Sequence, residues 1–541
     1  MFKNHSPITV NVISDIHYYS KKVGVSGEAF EKVNAKTAND LVNTEEILEK
    51  LINQLGNDSE SDIVLVSGDV TRDGEPDSHM ECIALLKKLQ TMGKKVYVIT
   101  ATHDYRDGNQ TDSYTENGVV KIETYPREKL LELYWDFGPS EAIALHKKSM
   151  SYIVQLPGNY RLFALNDDSN LNGASGFSEE LWAWIEEQVK DAEKNGQFII
   201  PMTHHPMISP SPFYKIIGGG NMMGEHEKRR AQFADLGISF MLTGHTHIQD
   251  ISYCFSEKGN VFYDITTAAP IAYPGTYRKL VINPAEEKIE VKAVEINGPF
   301  PFEMKGKTLK EHLEKKFFGM IGDVISCAAT DTNQLAKMVS AFSIKPELIF
   351  KIGWLIRPFA KILNALKIKH VARICKKESG LKKEDWQDIG NERVVDFIIS
   401  LVSNLYGGDS PYSPSTAYYK ITMAVCSILD SLLKTVGVKI GKLVKGFNSV
   451  GEIVEPLLYN SGICDETAVL KLYPLKKEKG EAPIIVQPQE KPEIKSSKKV
   501  LGIIILAVLL VLILLIPILL WLGIGFVCNQ IKFRKELKNE K

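Results

Sequence analysis

The chain has 541 residues, which is too long for one ordinary hydrophobic core. Its 65 Lys and Arg residues nearly balance its 66 Asp and Glu residues, so bulk charge gives no indication of a nucleic-acid partner. The seven cysteines are scattered without a C-x-x-C pair, which excludes a disulfide framework and a thiolate zinc site and is typical of a reducing compartment. We predict no protein partner.

Residues 8 to about 295 alternate short β-branched segments with helical ones. The predicted strands are ITVNVIS, DIVLVSGD, KKVYVIT, SYIVQL, YRLFALN, FIIPMTH, ISFMLTG, VFYDITT, YRKLVIN and IEVKAVE. The amphipathic segments TEEILEKLINQL, SHMECIALLKKLQTM and SEELWAWIEEQVKDAEK lie between them and predict helices. This alternation predicts a layered α/β domain over residues 1–298.

Residues 299–474 are mostly helical in pattern and predict a cap or accessory domain. Segments 351–377 and 431–447 are basic and amphipathic, which fits either helices on an anionic lipid surface or packed helices with lysines in solvent. We favour packed helices, because Pro358 interrupts the first segment.

The C-terminal part predicts a membrane anchor. Residues 475–499 are rich in Lys, Glu and Pro and indicate a flexible charged linker. Residues 500–528 contain no charged residue and exceed the roughly 20 apolar residues that a membrane-spanning helix needs. Lysines flank this span, including those of the basic tail 529–541, so a single pass and a hairpin bent at Pro517 both remain open. Because no basic and apolar leader precedes the first strand, we expect a cell-membrane protein whose large N-terminal part faces the cytoplasm.

Five polar motifs directly follow predicted strands. They are D-I-H at 15–17, G-D at 68–69, H-D at 103–104, H-H-P at 204–206 and G-H-T-H at 244–247. A single D-x-H or H-x-H is more often an ordinary surface or core feature, but five such motifs, each after a strand, are not explained by accident. Strand ends of an α/β sheet share one rim, so these carboxylates and imidazoles predict a site for Mn, Fe or Zn ions.

In this order the motifs resemble those of the calcineurin-like metallophosphoesterase superfamily, which are D-x-H, G-D, G-N-H-[D/E], H-x-P and G-H-x-H. The resemblance covers residues 8 to about 295 and implies a four-layer α/β/β/α sandwich with two divalent metal ions. The implied ligands are Asp15, His17 and His247 for the first metal, His204 and His245 for the second, and Asp69 as the bridge.

The resemblance also implies a general acid. His103 would donate a proton to the leaving oxygen, and Asp104 would orient its imidazole. The alternative for Asp104 is a carboxylate that caps the turn.

One position departs from the family pattern. Ala101-Thr102 stands where the family has Gly-Asn, and the Asn carbonyl normally binds the second metal. A Thr hydroxyl is shorter and a weaker donor, and Ala lacks the conformational freedom of Gly. We therefore expect a first metal site that is kept, a second site that is weakened at Thr102, and an altered loop.

Three residues are candidates for substrate contact. Arg72 follows the second strand and could bind a phosphate, although a solvated arginine is the alternative. Phe213 and Tyr214 lie in a long loop at 207–224, which is either a pocket wall or lid or a flexible connection.

Together these features predict a membrane-anchored, metal-dependent phosphoesterase that uses a metal-activated water. We favour a phosphodiester substrate, because the D-x-H and H-x-P motifs resemble those of the diesterases more than those of the protein phosphatases. The alternatives are a phosphomonoesterase or protein phosphatase, and a non-catalytic membrane scaffold or phospho-ligand sensor with a degenerate second metal site. The predicted partners are the phosphate ester and the lipid bilayer.

Overall fold

The computed structural model of the protein describes residues 2–472, except 3, 36, 169–173, 211–221, 332, 334, 336–360, 362–363, 409–410, 436–439, 441–446 and 460–462. The predicted linker, membrane span and basic tail lie outside the described residues, as do Phe213 and Tyr214. Among the helices that are described, none is both long enough and apolar enough to cross a membrane.

The described residues form fifteen strands. They are β1 Ile8–Ile13, β2 Ile63–Ser67, β3 Lys95–Ile99, β4 Gln110–Thr115, β5 Gly118–Glu123, β6 Ala142–His146, β7 Ser151–Leu156, β8 Tyr160–Ala164, β9 Phe198–Met202, β10 Phe240–Thr243, β11 Asp250–Phe255, β12 Val261–Thr266, β13 Thr276–Asn283, β14 Lys288–Glu295 and β15 Thr467–Lys471.

Twelve α-helices accompany them in the described part of the chain. They are α1 Gly27–Asn34, α2 Thr44–Gly56, α3 Pro76–Thr91, α4 Leu130–Leu133, α5 Glu179–Lys194, α6 His226–Asp235, α7 Leu309–Thr330, α8 Ile368–Ile374, α9 Lys376–Ser379, α10 Val394–Gly407, α11 Ala417–Thr435 and α12 Val450–Leu458.

Two sheets form the centre of the fold. One has the order β15-β14-β13-β1-β2-β3 and the other β11-β12-β10-β9-β8-β7-β6, while β4 and β5 form a separate hairpin. Side chains of both sheets, such as Val12 and Leu162, share one buried cluster, which places the sheets face to face. The outer face of the first sheet packs on α2 and α3, and that of the second on α5 and α6. These four layers confirm the predicted α/β/β/α arrangement.

The sequence explains these elements locally. Strand β2 is buried along its whole length, as expected for an apolar strand that pairs in parallel with both β1 and β3. Helix α5 begins where the Ser178 hydroxyl accepts a hydrogen bond from Leu181 N, and it buries Leu181, Ile185 and Val189 along one stripe.

The helical region is continuous with the sandwich. Leu313 and Phe317 of α7 and Leu405 of α10 lie in the same buried cluster as Ile47 of α2. Strand β15, which the sequence analysis did not predict, pairs antiparallel with β14 and becomes the edge of the first sheet. The boundary at residue 298 therefore separates strand-rich from helical sequence, but one buried hydrophobic cluster crosses it.

Candidate metal centre

The predicted ligands lie at the carboxyl ends of parallel strands from both sheets. Strands β1, β2 and β3 run parallel in one sheet, and β8, β9, β10 and β12 run parallel in the other. The backbone joins neighbouring strand ends, because Asp15 N donates to Gly68 O at 3.0 Å and Gly244 N donates to His204 O at 2.9 Å. All five motifs therefore meet at one rim of the sandwich.

The ligand loops adopt an unusual backbone. The φ angles are positive at Asp15 (51°), His17 (45°), Asp69 (50°), His245 (70°) and His247 (58°). This left-handed region is uncommon for residues other than glycine, and such strain collects at functional sites. It turns five of the six predicted metal ligands away from ordinary strand geometry.

Two glycines allow the loops to approach each other. A Cβ on Gly68 would lie 2.5 Å from His204 Nδ1, and Gly68 also has a φ of +101°. A Cβ on Gly244 would lie 2.5 Å from Asp15 Oδ2 and would overlap Ser14. The glycines of the G-D and G-H-T-H motifs are thus required by the close contact of the ligand residues.

The predicted ligands form two groups. In each group the ligand atoms lie within 4.8 Å of one another, and the groups are Asp15 with His17 and His247, and Asp69 with His204 and His245. A third group of the same size joins His17, Asp69 and His103. The structure therefore brings together all six residues predicted to bind metal.

Asp69 lies between the two groups. Its Oδ2 is 3.2 Å from His204 Nε2 and 3.8 Å from His17 Nε2, while its Oδ1 accepts a hydrogen bond from His103 N at 2.9 Å. Burial alone would raise the pKa of Asp69, but the imidazoles of His204, His103 and His17 outweigh it and hold this pKa well below its usual value. Asp69 is thus an anion placed to serve both groups.

The first group brings one carboxylate oxygen, without a hydrogen bond to any described residue, close to two imidazole nitrogens. Asp15 Oδ1 is buried without a hydrogen-bond partner among the described residues, although Asp15 Oδ2 accepts from His245 N at 2.8 Å. His17 Nε2 and His247 Nε2 approach to 2.8 Å, and burial, followed by the charges of His103 and His247, lowers the pKa of His17. Imidazole nitrogens and a carboxylate oxygen are suited to a divalent cation.

The second group has a fixed imidazole. His204 Nδ1 donates to Ser67 O at 2.8 Å, which directs Nε2 towards Asp69 and His245 Nδ1, the latter at 3.2 Å. Burial alone would lower the pKa of His204, but Asp69 raises it to about 10, so a proton and a metal compete for Nε2. The pKa of His245 is lowered by burial and by the charges of His205 and His204.

Thr102 and Ala101 occupy the positions where the family has Asn and Gly. The Thr102 hydroxyl oxygen is buried and has no hydrogen-bond partner in the described part of the chain. Ala101 is not among the described residues with positive φ, and its N–H donates to Asp104 Oδ2 at 2.8 Å. Alanine therefore fits this turn without a left-handed backbone, and the expected difference from the family's loop geometry stays a prediction.

Asp104 holds the loop and not the imidazole of His103. Its carboxylate is fully buried and accepts from Thr71 N at 2.8 Å, Thr71 Oγ1 at 3.1 Å and Ala101 N at 2.8 Å. The expected contact with the His103 imidazole is replaced by these three bonds, because both oxygens face backbone donors of the turn. This geometry agrees with the alternative interpretation, in which the Asp104 carboxylate caps the turn.

His103 is oriented by other groups. Its Nδ1 donates to Arg72 O at 2.7 Å and lies 3.4 Å from Asp73 Oδ1, which leaves Nε2 for proton transfer. The Arg72 guanidinium itself lies 3.8 Å from Asp73 Oδ2 and is about one-fifth exposed, so its predicted phosphate contact stays a prediction.

Sequence reasoning missed three residues near the site. Asp73 stands one position after Arg72 and contacts both His103 and Arg106. Asp167 and His205 form a buried pair beside the second ligand group. The signal for Asp167 was present, because N-D-D at 166–168 closes strand β8 just as the five motifs close theirs.

The chain is similar to one protein family and to several solved structures. Residues 8–249 match the sequence profile of the calcineurin-like phosphoesterase family. The chain also resembles a dimetal phosphatase from Danio rerio (14% identity, TM-score 0.37, covering 53% of this chain and 97% of that one). A purple acid phosphatase from Lupinus luteus is also similar, with 13% identity and a TM-score of 0.35, covering 55% of this chain and 53% of that one. A 5'-nucleotidase precursor from Thermus thermophilus has 9% identity and a TM-score of 0.26, covering 59% of each chain.

At these TM-scores the structural similarities add no argument about substrate. No curated protein matches the sequence. The family match over residues 8–249 and the two ligand groups identify a calcineurin-like phosphoesterase domain, and the protein is a hydrolase that acts on phosphate esters.

Proposed function

We propose that this hydrolase cleaves a phosphodiester at a dinuclear metal centre and is tethered to the cytoplasmic face of the cell membrane. The position of Asp69 Oδ2, within 3.8 Å of imidazole nitrogens from both ligand groups, carries the dinuclear part of the proposal. A carboxylate in this place can bridge two cations and offset part of their charge.

The residues fit such a centre. Asp15, His17 and His247 would hold one ion, His204 and His245 the other, with Asp69 shared. When bound, two divalent ions lower the pKa of a water nucleophile and stabilise the charge on phosphoryl oxygens.

The chain itself supplies the acid. His103 Nε2 would donate a proton to the leaving oxygen, and the contacts of Nδ1 with the Arg72 carbonyl and Asp73 fix the ring. The imidazole lies against His17, with ring centroids 4.8 Å apart, so the proton is delivered next to the first ligand group.

The preference for a diester rests on the D-x-H and H-x-P motifs, which resemble those of the family's diesterases. A monoester is the enzymatic rival, and a phospho-ligand sensor is the rival from another class. Thr102 favours the sensor, whereas six intact ligands and an oriented His103 favour turnover.

The membrane tether is proposed from sequence. Residues 500–528 contain no charged residue and follow a charged linker at 475–499. Free thiols at Cys82, Cys254, Cys375 and Cys426 support a reducing compartment for the catalytic region.

The catalytic part is tested on the full chain in detergent micelles. After chelator treatment, hydrolysis of bis(p-nitrophenyl) phosphate and of p-nitrophenyl phosphate is measured while Mn²⁺ is added. We expect Mn²⁺ to restore turnover and the diester to be preferred. Preference for the monoester would overturn the diester assignment, and Mn²⁺ binding without turnover of either ester would favour the sensor.

The tether is tested separately by fractionating cells. The wild-type chain should stay in the membrane pellet after alkaline carbonate washing, whereas a Leu512→Arg/Leu515→Arg variant should be released. Release of the wild-type chain would refute the anchor, and protection of a tag after Lys541 from cytoplasmic protease would show that the tail crosses the membrane.

A further inference from the structure

A buried carboxylate–imidazole pair lies behind the second ligand group. Asp167 follows strand β8 and His205 follows the ligand His204, and their side chains are 0–1% exposed. One Asp167 oxygen accepts a hydrogen bond from His205 N at 3.0 Å and lies 3.2 Å from His205 Nδ1. The pair thus fixes both the backbone and the ring of His205.

The ring of His205 contacts the ligand imidazoles. Its centroid is 4.1 Å from that of His245, with the planes tilted by 41°, and 5.0 Å from that of His204. His205 is not in any of the described groups whose ligand atoms lie within 4.8 Å of one another. It is therefore placed to act through its neighbours and not as a ligand.

The second group needs such support more than the first. Its pattern lacks the amide oxygen that the family has at position 102, so His204, His245 and Asp69 bear the whole task of holding the ion. An imidazole that can tilt freely loses affinity for a metal, because the lone pair of the nitrogen must point at it.

We propose that Asp167 and His205 are positioning residues that hold His245 in its ligating orientation and so maintain the second metal site in the absence of the amide at Thr102. This inference rests on the proposed dinuclear function. It assigns a role to the second histidine of the H-H-P motif, which the ligand set leaves unused.

A purely structural pair is the competing explanation, and the chain contains a matched control. His312 Nε2 lies 2.9 Å from Asp40 Oδ2, and these two residues are also buried but touch none of the six ligands. Replacing either histidine by glutamine removes a buried imidazole from a carboxylate. Only His205→Gln removes a ring that contacts His245.

The test measures Mn²⁺ binding to the full-length, chelator-treated protein by equilibrium dialysis, with thermal unfolding followed in parallel. We expect the wild-type chain to bind two Mn²⁺ ions. His205→Gln should lower the affinity for the second Mn²⁺ by about 10–100-fold, the range for residues that orient metal ligands. The affinity for the first Mn²⁺ should not change. His312→Gln should lower stability without changing either affinity.

Asp167→Asn provides a second variant should His205→Gln fail to fold. It preserves the shape of the side chain and should lower the affinity for the same Mn²⁺. Wild-type affinity for the second ion in the folded His205→Gln or Asp167→Asn protein would overturn the inference, as would an equal loss in His312→Gln. A wild-type chain that binds fewer than two Mn²⁺ ions would instead refute the dinuclear proposal itself, and the inference with it.

Discussion

The two ligand groups contain the same residue types but differ in the further ligands available to each metal ion. Each joins one carboxylate to two imidazoles. The first group has Asp15 for itself and Asp69 as a shared neighbour, whereas the second has only the shared Asp69, and the chain has Thr102 at the sequence position where the family has an asparagine. Equal sets of residue types therefore do not make equal metal sites.

One loop carries His245 of the second group and His247 of the first, and this loop contacts the helical region. The loop that carries His247 continues to Gln249, whose N–H donates to Tyr406 O of helix α10 at 3.1 Å. The second group is supported within the sandwich by Asp167. The helical region thus contacts the chain two residues beyond His247, in the loop that carries one ligand of each group.

The largest effect is expected from removing the residue that the groups share. Asp69→Asn should lower kcat/KM by about a thousandfold or more, because one charged partner of a catalytic site is lost, and it should reduce Mn²⁺ binding at both sites. Turnover and Mn²⁺ titration measure the two effects, with exposed Asp62→Asn as the control. Turnover that survives in Asp69→Asn would contradict a shared bridge.

Replacing the general acid His103 should lower turnover without changing metal binding at either site. His103→Gln is expected to lower kcat by about a hundredfold for esters with alcohol leaving groups, which need a proton, and much less for p-nitrophenyl esters. Mn²⁺ stoichiometry should remain two. Equal losses with both leaving groups, or a lost ion, would show that His103 acts as a ligand instead.

Restoring the missing amide should reduce the difference between the sites. Thr102→Asn is expected to tighten the second Mn²⁺ by roughly tenfold, or about 1.4 kcal/mol, with little change at the first. Thr102→Val is the matched control, since it keeps the shape and removes the buried hydroxyl. If Asn has no effect on the second site, the two sites differ for a reason other than the amide.

Much of the sandwich could be predicted because its strands follow simple rules. All ten predicted strands are present, as β1–β3, β7–β10 and β12–β14. The three predicted helices are present as α2, α3 and α5. Strands β4, β5, β6, β11 and β15 were missed. At the edge strand β11, Tyr253 and Phe255 are exposed, so this strand lacks the continuous burial of strands such as β12.

The ligands were predictable and their supports were not. Metal ligands stand at strand ends as recognisable motifs, whereas the partner of His103 is the carbonyl of Arg72, which any residue could provide. Strand β15 joins the first sheet although it begins 172 residues after the end of its partner β14 (Glu295 to Thr467), a pairing without local sequence signal. Long-range contacts of this kind become visible only in the folded chain.

The smallest effect concerns the support of the first site by the helical region. At Gly408, which follows α10 with a φ of +103°, a Cβ would lie 2.5 Å from Gln249 O. At Gly380, in the same region with a φ of +66°, a Cβ would meet nothing within 4 Å. Alanine at either position adds about 1–2 kcal/mol of backbone strain, but only Gly408→Ala displaces the loop that follows His247. We expect Gly408→Ala to weaken the first Mn²⁺ by about fivefold, equivalent to roughly 1 kcal/mol, and Gly380→Ala to leave it unchanged. Equal Mn²⁺ affinities in the two variants would show that the helical region contributes stability alone, and the first site would then depend only on the sandwich.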